Sequence, residues 1–287
     1  MSFEIFVDGC ANLPGKMLEG MKCLPCDYLV NDEPRTYLGD IDSFDGHSYY
    51  EGLKNGDKIQ TSLLNTQLFL SHFTPTIKEG KDIIYISMSS GISGTYNAAV
   101  AAAIELMEEY PDRYIHIVDS LGCGFGNGLL ALKAKELRDQ GLSCKEAGRL
   151  VDEAVPHACQ YFTVDDLNFL KRTGRVSGVT ASIGSILSIK PILFGDSTGH
   201  IISCGKVRGR RKAISELISI YKDKKMDSND KTVCISHGDC LEEAELLASM
   251  VGEISPDADI TICQHEPFSG SHVGPGMLAL FFWGKER

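Results

Sequence analysis

Short β-branched and aromatic runs alternate with Ala- and Leu-rich amphipathic segments through the first half of the 287-residue chain, and this constrains its fold more than any other feature. Phe3-Glu-Ile-Phe-Val7, Ile83-Ile-Tyr-Ile-Ser87 and Tyr114-Ile-His-Ile-Val118 read as strands. Thr95 to Tyr110 reads as a helix stopped by Pro111. After Val118 a glycine-rich turn leads to a helix from about Leu129 to Gln140. Ser143 then caps another running to about Ala154. Strands that look buried on both faces, separated by helices of this length, predict a doubly wound parallel sheet.

The second half follows a different pattern. Phe162-Thr-Val, Ile189 to Phe194, His200 to Lys206, Thr232 to Ser236, Ile260 to Cys263 and Leu278 to Phe282 read as strands. Helices fit Arg210 to Lys222 and Leu241 to Gly252. Gly195-Asp-Ser-Thr-Gly199 joins two of the strands as a hairpin, so this second α/β sheet is predicted to be mixed or antiparallel. The expected boundary lies near Cys159, giving domains 1–158 and 159–287.

Charge narrows the function classes. With 28 Lys+Arg against 39 Asp+Glu, the net charge of −11 argues against sequence-blind nucleic-acid binding and against a polybasic membrane-surface role. No apolar run is long enough to span a bilayer, and the N-terminus lacks the order of a signal peptide, so a cytoplasmic location is expected. Ten cysteines then read as reduced thiols. Cys23-Leu-Pro-Cys26 has redox or zinc spacing, but no second pair completes a site and the segment runs into the strand-like Asp27-Tyr-Leu-Val. Cys234, His237 and Cys240 offer three further potential ligands around a strand end. Neither set is assigned a metal.

The strongest local motif is Ser87-Met-Ser-Ser-Gly-Ile-Ser-Gly-Thr95, which joins a strand to a helix. Backbone N–H groups at the positive end of a helix dipole, with the hydroxyls of Ser89, Ser90, Ser93 and Thr95, would cradle a carboxylate or phosphate. The same residues also fit an ordinary turn in which Ser93 or Thr95 caps the helix. No Lys follows Gly94, which excludes a Walker A loop, and Gly91-Ile-Ser93-Gly is one residue short of a nucleophile elbow. The run from Gly122 to Gly128 misses the spacing of a dinucleotide fingerprint, so no nicotinamide or flavin cofactor is expected. Thr61-Ser62, the cationic turn Leu170-Lys-Arg-Thr-Gly-Arg175 and Ser271-His-Val-Gly-Pro-Gly276 are polar where a core would not be.

Taken in order, Phe6-Val-Asp8 with Asn12-Leu-Pro14, Thr61-Ser62, Ser90-Gly-Ile-Ser-Gly-Thr-Tyr96, Val118-Asp-Ser120, Asp166 to Arg175, Lys190-Pro191, Lys206-Val-Arg-Gly209 and Ser271 to Gly276 resemble the DegV family of bacterial fatty-acid-binding proteins. The chain departs from the family pattern at Leu63-Leu-Asn65, where Gln-Pro-Ser is usual, at Asp8-Gly9 and at Thr173-Gly-Arg175.

The resemblance implies a long-chain fatty acid held in a tunnel between two domains, its carboxylate bound by Thr61 and Ser93. It implies that Arg175 and His272 belong to the polar network beside that carboxylate, and that Arg208 helps dock a separate ATP-dependent fatty acid kinase making an acyl phosphate. The segment from Val179 to Leu187 is a candidate tunnel wall. On this reading the protein is a carrier with no cofactor and no catalytic residue of its own. Two other readings stay open: a serine-dependent acyl hydrolase using Ser93 and His272 with Asp8 or Asp119 as the acid, and a small-anion, phosphosugar-like binding module.

Overall fold

The computed structural model describes residues 3–176, 188–227 and 230–287. In chain order, the first strand β1 (Phe3–Asp8) leads through a one-turn helix α1 (Gly15–Leu18) to β2 (Lys22–Leu24), β3 (Cys26–Val30) and β4 (Glu33–Tyr37). Helix α2 (Gly46–Lys54), β5 (Ile59–Thr61), α3 (Thr66–Lys78), β6 (Asp82–Ser87), α4 (Thr95–Glu109) and β7 (Ile115–Asp119) follow. Next come α5 (Phe125–Asp139), α6 (Cys144–Ala154), β8 (Ala158–Thr163), α7 (Asn168–Thr173), β9 (Ile189–Gly195) and β10 (Ile201–Arg208). The chain ends with α8 (Arg210–Lys224), β11 (Thr232–His237), α9 (Leu241–Ile254), β12 (Asp259–Gln264), α10 (Pro267–Val273) and β13 (Leu278–Trp283).

The first sheet is fully parallel, in the order β2-β1-β6-β7. Because successive strand side chains point to opposite faces, its residues divide between two cores. Ile5, Val7, Ile84 and Ile86 pack against Leu129 and Ala134 of α5 and Ala147 and Val151 of α6. Phe6, Ile83 and Tyr85 pack against Phe69 and Phe73 of α3 and Ala99 and Ala102 of α4. Helices therefore cover both faces, as expected for a doubly wound sheet. Strand order reverses between β1 and β6, so the loops at their carboxyl ends open a crevice in which such sheets bind ligands.

The second sheet is mixed, in the order β10-β9-β8-β13-β11-β12; among the described strands β11 and β12 run parallel and the other neighbours antiparallel. One face packs on α8 and α9 through Val233, Ile235, Leu280 and Phe282. Phe281, Ala279 and Cys234 on the other face join the core of α5. Helix α5 thus touches both sheets. It begins at Phe125, four residues before the expected start, and takes in part of the predicted glycine turn. Gly128 makes this possible: a Cβ there would meet the Ala11 carbonyl oxygen at 2.9 Å.

Other boundaries moved for identifiable reasons. Most of the segment 170–175, expected to be a turn, belongs to a short helix (α7, Asn168–Thr173) ended by Gly174 in the left-handed conformation (φ 67°). Thr61-Ser62 is followed by an apolar stretch that forms helix α3, which runs through Pro75 with Thr76 and Ile77 buried. A small antiparallel sheet, β4-β3-β5, holds Thr61 at its edge. The second sheet's first strand starts at Ala158, beside the expected boundary. The candidate tunnel wall from Val179 to Leu187 lies outside the described residues.

Candidate functional site

Between the carboxyl edge of the parallel sheet and the mixed sheet lies a cavity of about 340 Å³. Its walls are largely apolar: Met88 and Ile92 from the loop after β6, Tyr161 and Phe162 from β8, Leu170, Ile201, Phe268 and Val273, and Met277, Ala279 and Phe281 around β13. Thr61, Ser93, Arg175 and His272 also line it, so four residues spread across a span of 211 positions face one space. A mostly apolar cleft with a few gathered polar groups is the usual form of a small-molecule site.

The polar groups are linked to one another. The Thr61 Oγ1–His272 Nε2 distance is 3.1 Å. Burial, reinforced by the Arg175 guanidinium, lowers the His272 pKa to about 4, so the imidazole is neutral at pH 7. Its Nδ1 is buried without a hydrogen-bond partner. If Nε2 carries the proton, it donates to Thr61 Oγ1 and leaves the threonine O–H to a ligand. If Nδ1 carries it, the ring itself has a donor to offer. Arg175 follows Gly174 and donates from Nη1 to the Thr173 carbonyl, which folds the guanidinium back toward α7.

On the opposite wall, Ser93 precedes α4. The Thr95 N–H donates to Ser93 Oγ at 3.2 Å, the two hydroxyls are 2.9 Å apart, and the Leu64 N–H reaches Thr95 Oγ1 at 3.4 Å. These contacts tie the segment after Thr61 to the Ser93 loop. Ser93 therefore takes up the N–H of the first residue of α4, whose cap position is Gly94, while it faces the cavity. The expected backbone cradle is a different matter. The N–H groups of residues 89–93 already donate within the protein: Ser89 to the Gly122 carbonyl, Ser90 to Asp119 Oδ1, Gly91 to Ser89 Oγ, and Ile92 and Ser93 to the Ser89 carbonyl. Ser89 Oγ donates to the Gly199 carbonyl at 2.8 Å, latching the loop to the β9–β10 hairpin. Of the loop hydroxyls, Ser93 is the one on the cavity wall.

The departure at Leu63-Leu-Asn65 has a structural reading. Leu63 is 49% exposed yet lines the cavity, which puts it at the rim. Leu64 is buried, and Asn65 caps α3 by accepting from the Leu68 N–H at 3.0 Å. Arg208 is exposed at the end of β10, away from the cavity lining.

The acids considered for a hydrolase are engaged elsewhere. Asp8 accepts from the Tyr85 hydroxyl at 2.5 Å and from the Cys10 N–H at 2.9 Å, and burial raises its pKa. Asp119 accepts from the Ser90 and Leu121 N–H groups, both at 3.1 Å. Cys23 and Cys26 lie on strands β2 and β3, not at a helix start. Cys234 contacts Cys263 (3.8 Å between sulfurs) and His237 Nδ1 accepts from the Cys240 N–H, so the Cys234–His237–Cys240 set does not converge on one point.

Among the polar groups at the cavity with no counterpart in the sequence reading is His265. His265 lines the wall, with Nδ1 2.9 Å from Ser236 Oγ and Nε2 2.8 Å from Ser269 Oγ. Burial drives its pKa down to about 3. Ser269 also donates to Glu266, a fully buried carboxyl that caps α10 by accepting from the Phe268 and Ser269 N–H groups. Burial pushes the Glu266 pKa up to about 7. The available signal was Pro267, suited to the first position of a helix, preceded by a side chain able to cap it.

Comparison with known proteins agrees with this architecture. The DegV family model matches residues 2–285. A DegV domain-containing protein of Clostridium perfringens is 38% identical over 286 residues, 99% of this chain and 98% of its own length. DegV from Bacillus subtilis, a fatty acid binding protein, is 28% identical, with a TM-score of 0.84 over 99% of both chains. A DegV family protein from Ruminococcus gnavus, refined with vaccenic acid, shares the fold at a TM-score of 0.86 and 23% identity, covering 98% of this chain and 99% of its own.

Proposed function

The chain belongs to the DegV family, and on that premise we propose that it is a carrier that binds one long-chain fatty acid and presents the carboxylate to a separate ATP-dependent fatty acid kinase. The observation that carries this reading is the apolar cavity lined by Thr61, Ser93, Arg175 and His272. Apolar walls suit an acyl chain, and hydroxyl donors beside a guanidinium suit a carboxylate. At about 0.8 kcal/mol per buried CH₂, the chain provides most of the affinity. The polar groups then fix which end reaches the partner, with residues 1–158 and 159–287 acting as two domains that close on the ligand.

In this role Thr61 and Ser93 bind the carboxylate. Arg175 and His272 stabilise charge on the phosphoryl group as it transfers, a task of positioning rather than of chemistry by the carrier. A neutral His272 serves as a donor without competing for a proton from the acid. Arg208, exposed and outside the cavity, is assigned to kinase docking, and the setting is cytoplasmic. The hydrolase alternative is less well supported, because His272 pairs with Thr61 and the Ser93 hydroxyl pairs with Thr95.

The test is an acyl-phosphate assay. Delipidated protein loaded with oleate is mixed with a bacterial fatty acid kinase and ATP, and acyl phosphate is trapped with hydroxylamine. Acyl hydroxamate that requires both proteins is expected. Equal product from kinase and free oleate alone, or no product, would refute the carrier role.

A further inference from the structure

Behind the cavity wall the chain brings together side chains that carrying a fatty acid does not require. Asp8 ends β1, Cys10 lies in the turn after it, and Cys26 opens β3. Their ligand atoms all lie within 4.8 Å of one another, and the residues are 1%, 1% and 0% exposed. The Cys10 thiol also contacts that of Cys123, which lines the cavity. We infer that Asp8, Cys10 and Cys26 form a binding site for a single Zn²⁺ ion, with a water completing its four-coordinate shell.

The chemistry of the donors favours zinc. Two thiolates with one carboxylate form a soft, compact set, and four-coordinate zinc takes such ligands. Zn–S bonds of about 2.3 Å place the sulfurs of a tetrahedral site roughly 3.8 Å apart, so donors already within 4.8 Å need only small side-chain adjustments. The carboxylate is held in place before any ion arrives, by the Tyr85 hydroxyl at 2.5 Å and the Cys10 N–H at 2.9 Å. Outer contacts of this kind orient ligands in metal sites. Electrostatics points the same way: the charged groups acting on Cys10 and Cys26 are the carboxyls of Asp8 and Glu266. A cation is the charge that this pocket of anionic and ionisable groups lacks. Because Cys123 faces the cavity, it also supplies an entry route.

The site would tie the end of β1 to β3 beside the cavity, and it requires no bound fatty acid. Binding would release the thiol protons, so affinity falls as the pH falls.

The test uses the full-length protein, reduced, freed of metal with a chelator, and titrated with Co²⁺ and then Zn²⁺. One Co²⁺ per chain is expected, with sulfur-to-cobalt charge-transfer absorption and the intense visible bands of tetrahedral cobalt, all abolished when Zn²⁺ displaces it. Cys10→Ser and Cys26→Ser should each weaken binding by more than about tenfold. Cys204→Ser, at an exposed position, should leave the titration unchanged. Circular dichroism identifies any variant that fails to fold, and the wild-type titration stands without them. No thiolate-to-cobalt band in the reduced wild type, or full binding by folded Cys10→Ser and Cys26→Ser proteins, would overturn the assignment.

Discussion

Replacing Thr61 with valine keeps the shape of the side chain and removes the one hydroxyl shared between His272 and the proposed carboxylate. In the ligand-free protein, His272 Nε2 loses its 3.1 Å partner while Nδ1 is already unpartnered. A neutral imidazole without hydrogen bonds in a buried site costs about 1–3 kcal/mol, so the variant should unfold at measurably lower denaturant concentration. Binding should suffer separately. A hydrogen bond to a charged acceptor is worth roughly 1.5–3 kcal/mol, and each 1.4 kcal/mol is tenfold in affinity, so fatty acid binding should weaken roughly tenfold to a hundredfold. The methyl ester offers a neutral acceptor, for which the bond is worth about 0.5–1.5 kcal/mol, and its binding should fall less. Ser93→Ala should behave similarly, and the double variant should lose less than the sum because both donors serve one carboxylate. Competition against a fluorescent fatty acid on delipidated protein, with the acid and its ester as competitors, separates these effects. Wild-type affinity for the acid in Thr61→Val, or equal losses for acid and ester, would refute the assignment.

Gly199 has φ +75°, and a Cβ there would lie 2.0 Å from Ser89 Oγ, so Gly199→Ala should break the latch between the Ser93 loop and the β9–β10 hairpin. About 1–2 kcal/mol from the left-handed backbone plus about 1–3 kcal/mol from crowding should appear as a lower Tm and faster fatty acid release. Arg175→Ala should retain fatty acid binding better than kinase-dependent acyl-phosphate formation; equal losses in both assays would move Arg175 out of the transfer network. Stability should depend on pH through buried groups, among them His265, His272 and Glu266. His265 (pKa about 3) and His272 (about 4) stay neutral in the folded state, so protons bind them mainly in the unfolded chain as the pH falls below 6.5, and acid destabilises. Glu266 (about 7, against 4.5) acts in the opposite sense, its contribution being full below pH 4.5 and lost as the pH rises through 7. Between pH 5 and 6 the two histidines oppose Glu266, so Glu266→Gln, which removes the opposing proton, should make stability rise more steeply with pH than in the wild type; an unchanged urea-midpoint profile would contradict this.

Much of this site follows from local patterns that the sequence carries openly. The strands of the parallel sheet are buried on both faces, so Ile83 to Ser87 reads as a strand without knowledge of its neighbours. Ser143 and Glu146 announce the start of α6 by their spacing, and the capping box is present. Of the small sheet carrying Thr61, only the strand around Asp27 to Val30 is legible, because Glu33 to Thr36 of its neighbour are exposed and leave no apolar alternation to read. Helix α10 was hidden by its Ser and Gly content; it holds its shape through the buried cap from Glu266 and through packing on Tyr50, whose hydroxyl would sit 2.5 Å from a Cβ at Gly270. Thr61 and His272 could be paired from sequence only through resemblance, since a contact across 211 residues depends on tertiary packing. Asp8, Cys10 and Cys26 likewise meet only through tertiary packing, which the Cys23–Cys26 spacing does not reveal.

The central claim, that the cavity holds one long-chain fatty acid by its carboxylate, is tested most directly by native mass spectrometry of the protein as purified, followed by lipid extraction. The account predicts one fatty acid per chain, displaced by added oleate and lost when Ala279→Phe fills the cavity it lines. Protein that arrives free of lipid and takes up neither oleate nor palmitate would contradict it.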